Sequence, residues 1–573
     1  MDAELLFVNG RITTLSKDNT EVSAVAVKDG RFLAAGSEAQ VMAFKGDGTR
    51  VIDLKGHTVI PGLNDSHIHV IREGLNYNME LRWDGAPSLA DAMRMLREQA
   101  QRTPAPQWVR VIGGWSEFQF AERRMPTLDE INEAAPETPV FILHLYDRAF
   151  LNRAALRALG YTRETPEFPG GEIRRDRNGN PTGLLIARPN ASILYASLAR
   201  GPKLSYEDQL NSSRHFMREL NRLGITSVID AGGGFQNYPD DYKVIEELAR
   251  RGELTLRLAY NLFTQRPKEE LDDFKRWLTM TEPGKGDDFF RMNGAGEMLV
   301  FSGADFEDFL EPRPNLPPSM ENELKAVVKL LVEHRWPFRL HATYDESITR
   351  FLNIFEEINR EVPFQGLRWF FDHAETISDR NIERVKALGG GIAIQDRMAY
   401  QGEHFLERYG AEAARRSPPF VRMLAMGVPV GAGTDATRVS SYNPWVSIYW
   451  LVTGKTVGNT QLYAASNRLD RLEALRLYTL GSAWFSGEED KKGSIEAGKL
   501  ADLSALSEDY FSVPEEQIKH IQSVLTAVGG KVVYGSGEFA ALAPPDPPAS
   551  PDWSPVKIYK GYYHPGTVYE RAA

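Results

Sequence analysis

At 573 residues the chain is too long for one small core and suits a large barrel with accessory parts. Hydrophobic residues are 42% and charged residues 25%, an ordinary globular balance, and a net charge of -11 argues against nucleic acid or an anionic membrane as partner. There is no cysteine, so disulfides and thiol nucleophiles are excluded, and any metal must be held by His, carboxylate or modified Lys.

The start, Met1-Asp2-Ala3-Glu4, lacks a basic stretch followed by an apolar one, and no apolar run approaches membrane-spanning length. Both features predict a cytoplasmic protein. Residues 1–57 read as short strands with turns, marked by Asn9-Gly10 and Asp29-Gly30. A similar pattern returns in 488–540, at Ala501 to Leu506 and Val524 to Tyr534. The two ends are therefore expected to meet in one composite domain, a small β-sandwich.

The next segment is Val59-Ile60-Pro61-Gly62-Leu63-Asn64-Asp65-Ser66-His67-Ile68-His69. In a strand, residues i and i+2 share a face, so His67 and His69 can hold one cation as neutral imidazole ligands. Alone, His-x-His reads equally well as a surface pair. From 58 to 487, strand and helix patterns alternate. Eight candidate strands fall at 58–66, 225–230, 254–262, 289–300, 336–341, 367–373, 391–396 and 428–435. Amphipathic helices separate them, such as Glu323 to Arg335 with Leu324, Val327, Val328, Leu331 and Val332 on one stripe. Eight units predict an α/β fold of the (β/α)8 TIM-barrel type.

The stretch 71–204 reads as an insertion after the first strand. It has strands of its own at Val109 to Gly113 and Val140 to Leu145, and a hairpin at Asp176 to Asn180. Its aromatic run, Trp115, Phe118 and Phe120, either lines an entrance or packs a core. Residues 541–573, beginning with Ala543-Pro544-Pro545-Asp546-Pro547-Pro548, read as an extended arm, ordered where it docks. Its aromatic end, Tyr559 to His564, points to docking across a subunit boundary and so to a homo-oligomer, a dimer.

In a barrel, chemistry sits at the C-terminal ends of the strands. His67 and His69 end the first predicted strand, Glu297 lies in the fourth, His341 ends the fifth, His373 the sixth and Asp435 the eighth. Polar residues that are hard to bury recur where apolar strands stop. Asp435 alone would read as a helix cap. Six such residues in consistent register read as a metal site built from nitrogen and oxygen donors, a set that suits zinc.

Pro61 to His69 and Gly493 to Leu503 resemble the opening and closing motifs of the amidohydrolase superfamily, in the family 3 branch of YtcJ-like proteins. The resemblance runs over nearly the whole chain. It implies a (β/α)8 barrel, a composite β domain, one or two divalent metals and hydrolysis at a carbonyl-type centre. By the motif match, His67, His69 and Asp435 would hold a buried metal, and His341 and His373 a second. Many relatives place a bridging carboxylated lysine on the fourth strand, where this chain offers Glu297. A glutamate also presents two oxygens, and can bridge two metals, or bind one metal or the substrate.

Two further departures concern the pocket. The family's Asp-Gly-His is replaced by Asp147-Arg148-Ala149, and its Gly-Asp after the fifth-strand His by Tyr344-Asp345. The expected enzyme is a metal-dependent hydrolase acting on an amide-type, non-peptide C–N bond of a small organic molecule. That molecule would carry an apolar or aromatic portion and an anionic or strongly polar group. Asp435 would move the proton from water to the leaving nitrogen, or serve as ligand only. Tyr344, Arg148, Arg397 and Arg438 are candidate substrate contacts, with Trp115 at the entrance; each also reads as a structural group. An ester or carbamate hydrolase, a lyase or an isomerase on the same site is the alternative.

Overall fold

Eight apolar segments assemble side by side, in chain order, into one parallel sheet. They are β1 (Leu63–Ile68), β2 (Ile225–Asp230), β3 (Arg257–Leu262), β4 (Phe290–Ala295), β5 (Phe338–Ala342), β6 (Trp369–His373), β7 (Gly391–Gln395) and β8 (Val430–Gly433). This computed structural model describes residues 2–188, 191–306, 309, 313 and 315–563. The ring closes just past β8: Asp435 N donates to His67 O at 2.7 Å, and His69 N to Ala436 O at 3.1 Å. The strands are buried on both faces, as helix-covered parallel strands are, and so read as continuous apolar runs. The helix between β4 and β5, Met320–Glu333, buries the predicted stripe Leu324, Val327, Val328, Leu331 and Val332.

Two predicted strands differ most from their observed extent. The run 58–66 is two strands rather than one. Thr58–Pro61 pairs with Arg11–Thr13 and Leu503–Leu506 in a separate sheet, and β1 begins only at Leu63. The break falls at Gly62, where an added Cβ would lie 2.0 Å from Thr226 Oγ1. Only glycine lets the backbone pass that close to β2 as it crosses between sheets. The predicted strand 289–300 stops at Ala295, because Gly296 turns the chain with φ +110°. Glu297 therefore stands in the loop after β4, not within the strand.

The chain ends build a four-stranded sheet (Arg31–Gly36, Ala24–Lys28, Leu5–Val8, Arg50–Asp53) and a six-stranded one. The six-stranded sheet interleaves Thr58–Pro61 and Arg11–Thr13 with Leu503–Leu506, Ser523–Val528 and Lys531–Gly535. Phe7, Val25 and Ile52 from the first share one core with Ile12, Leu503 and Leu525 from the second. A buried bidentate pair, Arg257 to Asp502 at 2.7 and 2.9 Å, ties this region to β3.

The stretch after β1 carries a five-stranded sheet whose inner members are Pro181–Ile186, Arg148–Leu151 and Val140–His144, with Val109–Ile112 at one edge. The C-terminal arm lies against this stretch of its own chain. Gln99 Nε2 donates to Trp553 O at 2.8 Å, Asn78 Nδ2 to Ser550 O at 2.9 Å and Tyr562 N to Glu219 Oε1 at 2.9 Å. Tyr559 is buried there; His564 lies outside the described residues. Among the described residues no helix is long and apolar enough to cross a membrane.

Candidate metal centre

The C-terminal ends of β1, β5 and β6, with the turns that follow β1, β4 and β8, bring six ligand-type side chains together at one mouth of the barrel. Asp435 Oδ1 lies 3.0 Å from His69 Nε2 and 3.3 Å from His67 Nε2. Glu297 Oε1 faces the same two imidazoles at 3.6 Å (His67) and 3.9 Å (His69). Its other oxygen, Oε2, is 3.2 Å from His341 Nδ1 and 3.1 Å from His373 Nε2, and those two nitrogens are 3.0 Å apart. Glu297 thus stands between two groups: His67, His69 and Asp435 on one side, His341 and His373 on the other. All six side chains are buried.

The ring orientations are those of metal ligands. His69 Nδ1 hydrogen-bonds to Gly232 O, which leaves Nε2 with its lone pair toward Asp435. His67 Nδ1 is 2.9 Å from Asp372 Oδ1 and 2.7 Å from Arg339 Nη2, and its Nε2 is buried without a hydrogen-bond partner. For His69, the acceptor on the far nitrogen fixes the tautomer that presents the near one to a metal. A buried imidazole nitrogen left unsatisfied between two carboxylates is costly unless a cation completes it. The residues present therefore fit a divalent ion. His373 and Asp435 also hold left-handed backbone, φ +80° and +55°, a conformation that non-glycine residues adopt at a cost and that clusters at functional sites.

The electrostatics agree. Burial pushes the Asp435 carboxyl up, but His67, His69 and His373 around it hold it well below the usual carboxylate range. Burial likewise opposes ionisation of Glu297, and His67, His341 and His373 outweigh it. Burial pulls His67 down, yet Asp372, Glu297 and Asp435 raise it well above its ordinary value. His373 falls to about 3, through burial first and then the neighbouring Arg397 and His341. Two buried carboxylates here demand positive charge, which a divalent ion supplies.

The remaining predicted residues are spread around this centre. Arg397 Nη1 is 4.0 Å from Asp435 Oδ2, and the side chain donates to Glu375 and Thr343. Arg438 is buried, with its guanidinium 4.4 Å from the Tyr195 ring centroid and Nη1 unpartnered. Tyr344 is buried behind His341; its backbone N donates to Asp305 at 3.0 Å and the Arg313 guanidinium covers its ring at 5.2 Å. Arg148 pairs with Asp147 at 2.5 Å. Trp115 is fully buried against Trp83 and Phe120, with Nε1 donating to Leu143 O at 3.0 Å.

Several neighbours carry no readable signal in the sequence. Arg72 Nη1 and His69 Nδ1 crowd the same point beside Gly233, where a Cβ would lie 2.8 and 3.3 Å from them. A file of aromatic rings leads away from His341: Phe306 at 5.1 Å, then Tyr146, Tyr195 and Phe235 at successive spacings of 6.4, 6.0 and 5.7 Å. These residues come from separate segments of the chain, one of them the helix Ser192–Ala199, so no periodicity marks them. Asp372 and Arg339, which brace His67, were visible only as charged residues inside apolar strands.

Comparison with known proteins places the site in context. The chain is 24% identical over 550 residues to the N-substituted formamide deformylase of Arthrobacter pascens, covering 93% of this chain and 98% of that protein. It is 26% identical over 544 residues to YtcJ of Bacillus subtilis (strain 168), covering 92% and 98%. Its fold is similar to the crystal structure of an uncharacterized metal-dependent hydrolase from Pyrococcus horikoshii OT3, with a TM-score of 0.64 and 21% identity over 89% of this chain and 99% of that one. The model of the amidohydrolase family matches residues 50–534, and the chain belongs to that family.

Proposed function

We propose that this amidohydrolase cleaves a non-peptide, amide-type C–N bond in a small organic substrate. The observation that carries the reading is the convergence of His67 Nε2 and His69 Nε2 on Asp435 Oδ1, with Glu297 opposite, at the C-terminal mouth of the barrel. His67, His69 and Asp435 would hold one divalent ion, and Glu297, His341 and His373 a second. The all-nitrogen-and-oxygen set suits zinc. A divalent ion bound here supplies Lewis acidity and lowers the pKa of a bound water toward about 7.

Asp435 would take a proton from the attacking water and return it to the departing nitrogen. Proton return matters most for a nitrogen leaving group, which departs poorly unless protonated. The similarity to a formamide deformylase supports the same bond class. In protein purified without added metal, elemental analysis is expected to find at least one equivalent, and a panel of N-acyl and cyclic amides to contain a substrate. Less than a tenth of an equivalent, with no activation by Zn²⁺, Mn²⁺ or Co²⁺, would end this reading. Efficient ester turnover with failure on every amide would favour the esterase alternative.

The walls favour an aromatic substrate with an anionic group. Phe306 and Phe235 in the aromatic file are 41% and 53% exposed. Arg72 and Arg438 each keep a buried guanidinium nitrogen without a partner, and burial together with Arg72 lowers Arg438 from its ordinary value. A carboxylate satisfies both guanidinium groups. Hydrogen bonds to charged groups are worth about 1.5–3 kcal/mol. Arg438→Met is therefore expected to raise KM about tenfold or more for a carboxylate-bearing aromatic amide and to leave its neutral analogue little changed. An equal loss on both substrates would remove Arg438 from substrate recognition.

A further inference from the structure

A second group of ligand-type side chains converges away from the barrel mouth. His144 ends the strand Val140–His144, Glu117 opens the short 3-10 turn Glu117–Gln119, and His404 stands on the helix Arg397–Ala414. Two of these elements belong to the stretch after β1 and the third to the barrel wall after β7. Glu117 lies between the imidazoles: its Oε2 is 2.9 Å from His144 Nε2, and its Oε1 is 3.0 Å from His404 Nε2. All three ligand atoms lie within 4.8 Å of one another. His144 is fully buried, Glu117 is 7% exposed, and the His404 side chain is 12% exposed. His404 is seven residues beyond Arg397, about 10 Å along the helix axis at the α-helical rise. The group is therefore distinct from the six residues at the mouth.

Three features set this cluster apart from a plain ion triad. His404 Nε2 is buried and makes no hydrogen bond, although a carboxylate oxygen stands 3.0 Å away. His144 Nδ1 is bonded to Asp147 Oδ1 at 2.7 Å, and Asp147 is held in turn by Arg148. That carboxylate–imidazole relay orients a histidine to offer its other nitrogen to a metal. Two imidazoles and one carboxylate are also a common three-ligand zinc set, which leaves a fourth position to water.

We infer that Glu117, His144 and His404 form a further divalent-cation site, of zinc type, that pins the stretch after β1 to the barrel helix behind β7. Phe118, edge-on to His404 at 5.1 Å, and Trp115, edge-on to His144 at 4.9 Å, flank the ligands, so the cation fixes the loop that carries both. The inference does not depend on which bond the enzyme cleaves.

The test counts metal rather than turnover. The full-length protein, Glu117→Gln, His404→Leu and His341→Ala are stripped with chelator, reloaded with Zn²⁺ and analysed for bound zinc, with a thermal melt of each before and after loading. His404→Leu changes a partly exposed helix position and is expected to fold. Relative to the parent, both His404→Leu and Glu117→Gln should lose one equivalent, and His341→Ala should lose zinc without affecting that equivalent. Zinc should raise the melting temperature less in His404→Leu than in the parent. If His404→Leu keeps the parent's stoichiometry and the parent's zinc-dependent shift, the three side chains are a hydrogen-bonded triad and the inference is wrong.

Discussion

Replacing Asp435 by asparagine is expected to lower turnover on a confirmed amide substrate by about 10²-fold or more, the usual scale for an acid–base group. The change is isosteric, and Asp435 N still donates to His67 O at the barrel seam, so the fold should persist. Asparagine keeps an oxygen near His67 and His69, so metal should stay bound at reduced affinity. The amide cannot accept and return a proton, and this loss dominates. Turnover and zinc content are measured on the same preparation. Activity within threefold of the parent would show that Asp435 is a ligand and not the proton shuttle.

The second large effect is expected at Glu297. Its two oxygens face different imidazole pairs, so Glu297→Gln removes charge from both groups at once. Zinc at the His341–His373 side should fall by close to one equivalent, because two neutral imidazoles are then its main protein donors. The loss of activity should exceed the roughly 10–100-fold that a partner outside the ligand sphere costs. The circular dichroism spectrum should match the parent, because Glu297 follows β4 and its backbone bonds to Ala231 and His341 remain. Unchanged stoichiometry together with unchanged activity would remove Glu297 from the centre.

The barrel was readable because its strands are covered on both faces, so each is an apolar run that stops at a polar residue. Phe338 to His341 and Trp369 to His373 show this most clearly. Pro61-Gly62 marks a break in the run, but that the chain crosses there between two sheets, forced by the nearby Thr226 side chain, shows only in the fold. Glu297 was found as a lone acid near a strand end, but the turn that carries it off β4 has no local signature beyond Gly296. The arginines were the weakest part of the reading. Arg148 drew attention by replacing a family histidine, whereas Arg72, beside His69, sits in a short helix with nothing in its local sequence to mark it. Glu117, His144 and His404 come from three elements spread over more than half the chain, and such a group emerges only from the tertiary fold.

The interleaved six-stranded sheet has a consequence for how the chain is made. Thr58–Pro61 pairs with Leu503–Leu506, about 440 residues downstream. At roughly 5–20 residues per second, a ribosome needs about 20–90 seconds to reach that partner. Throughout this interval one side of Thr58–Pro61 lacks its neighbour, and the apolar face of Leu5–Val8 and Ala24–Lys28 lacks the sheet that covers it. An open strand edge is a template for pairing with other nascent chains. All eight barrel strands, the last of them Val430–Gly433, are made before Leu503–Leu506, so the barrel can close while Thr58–Pro61 still waits for its partner.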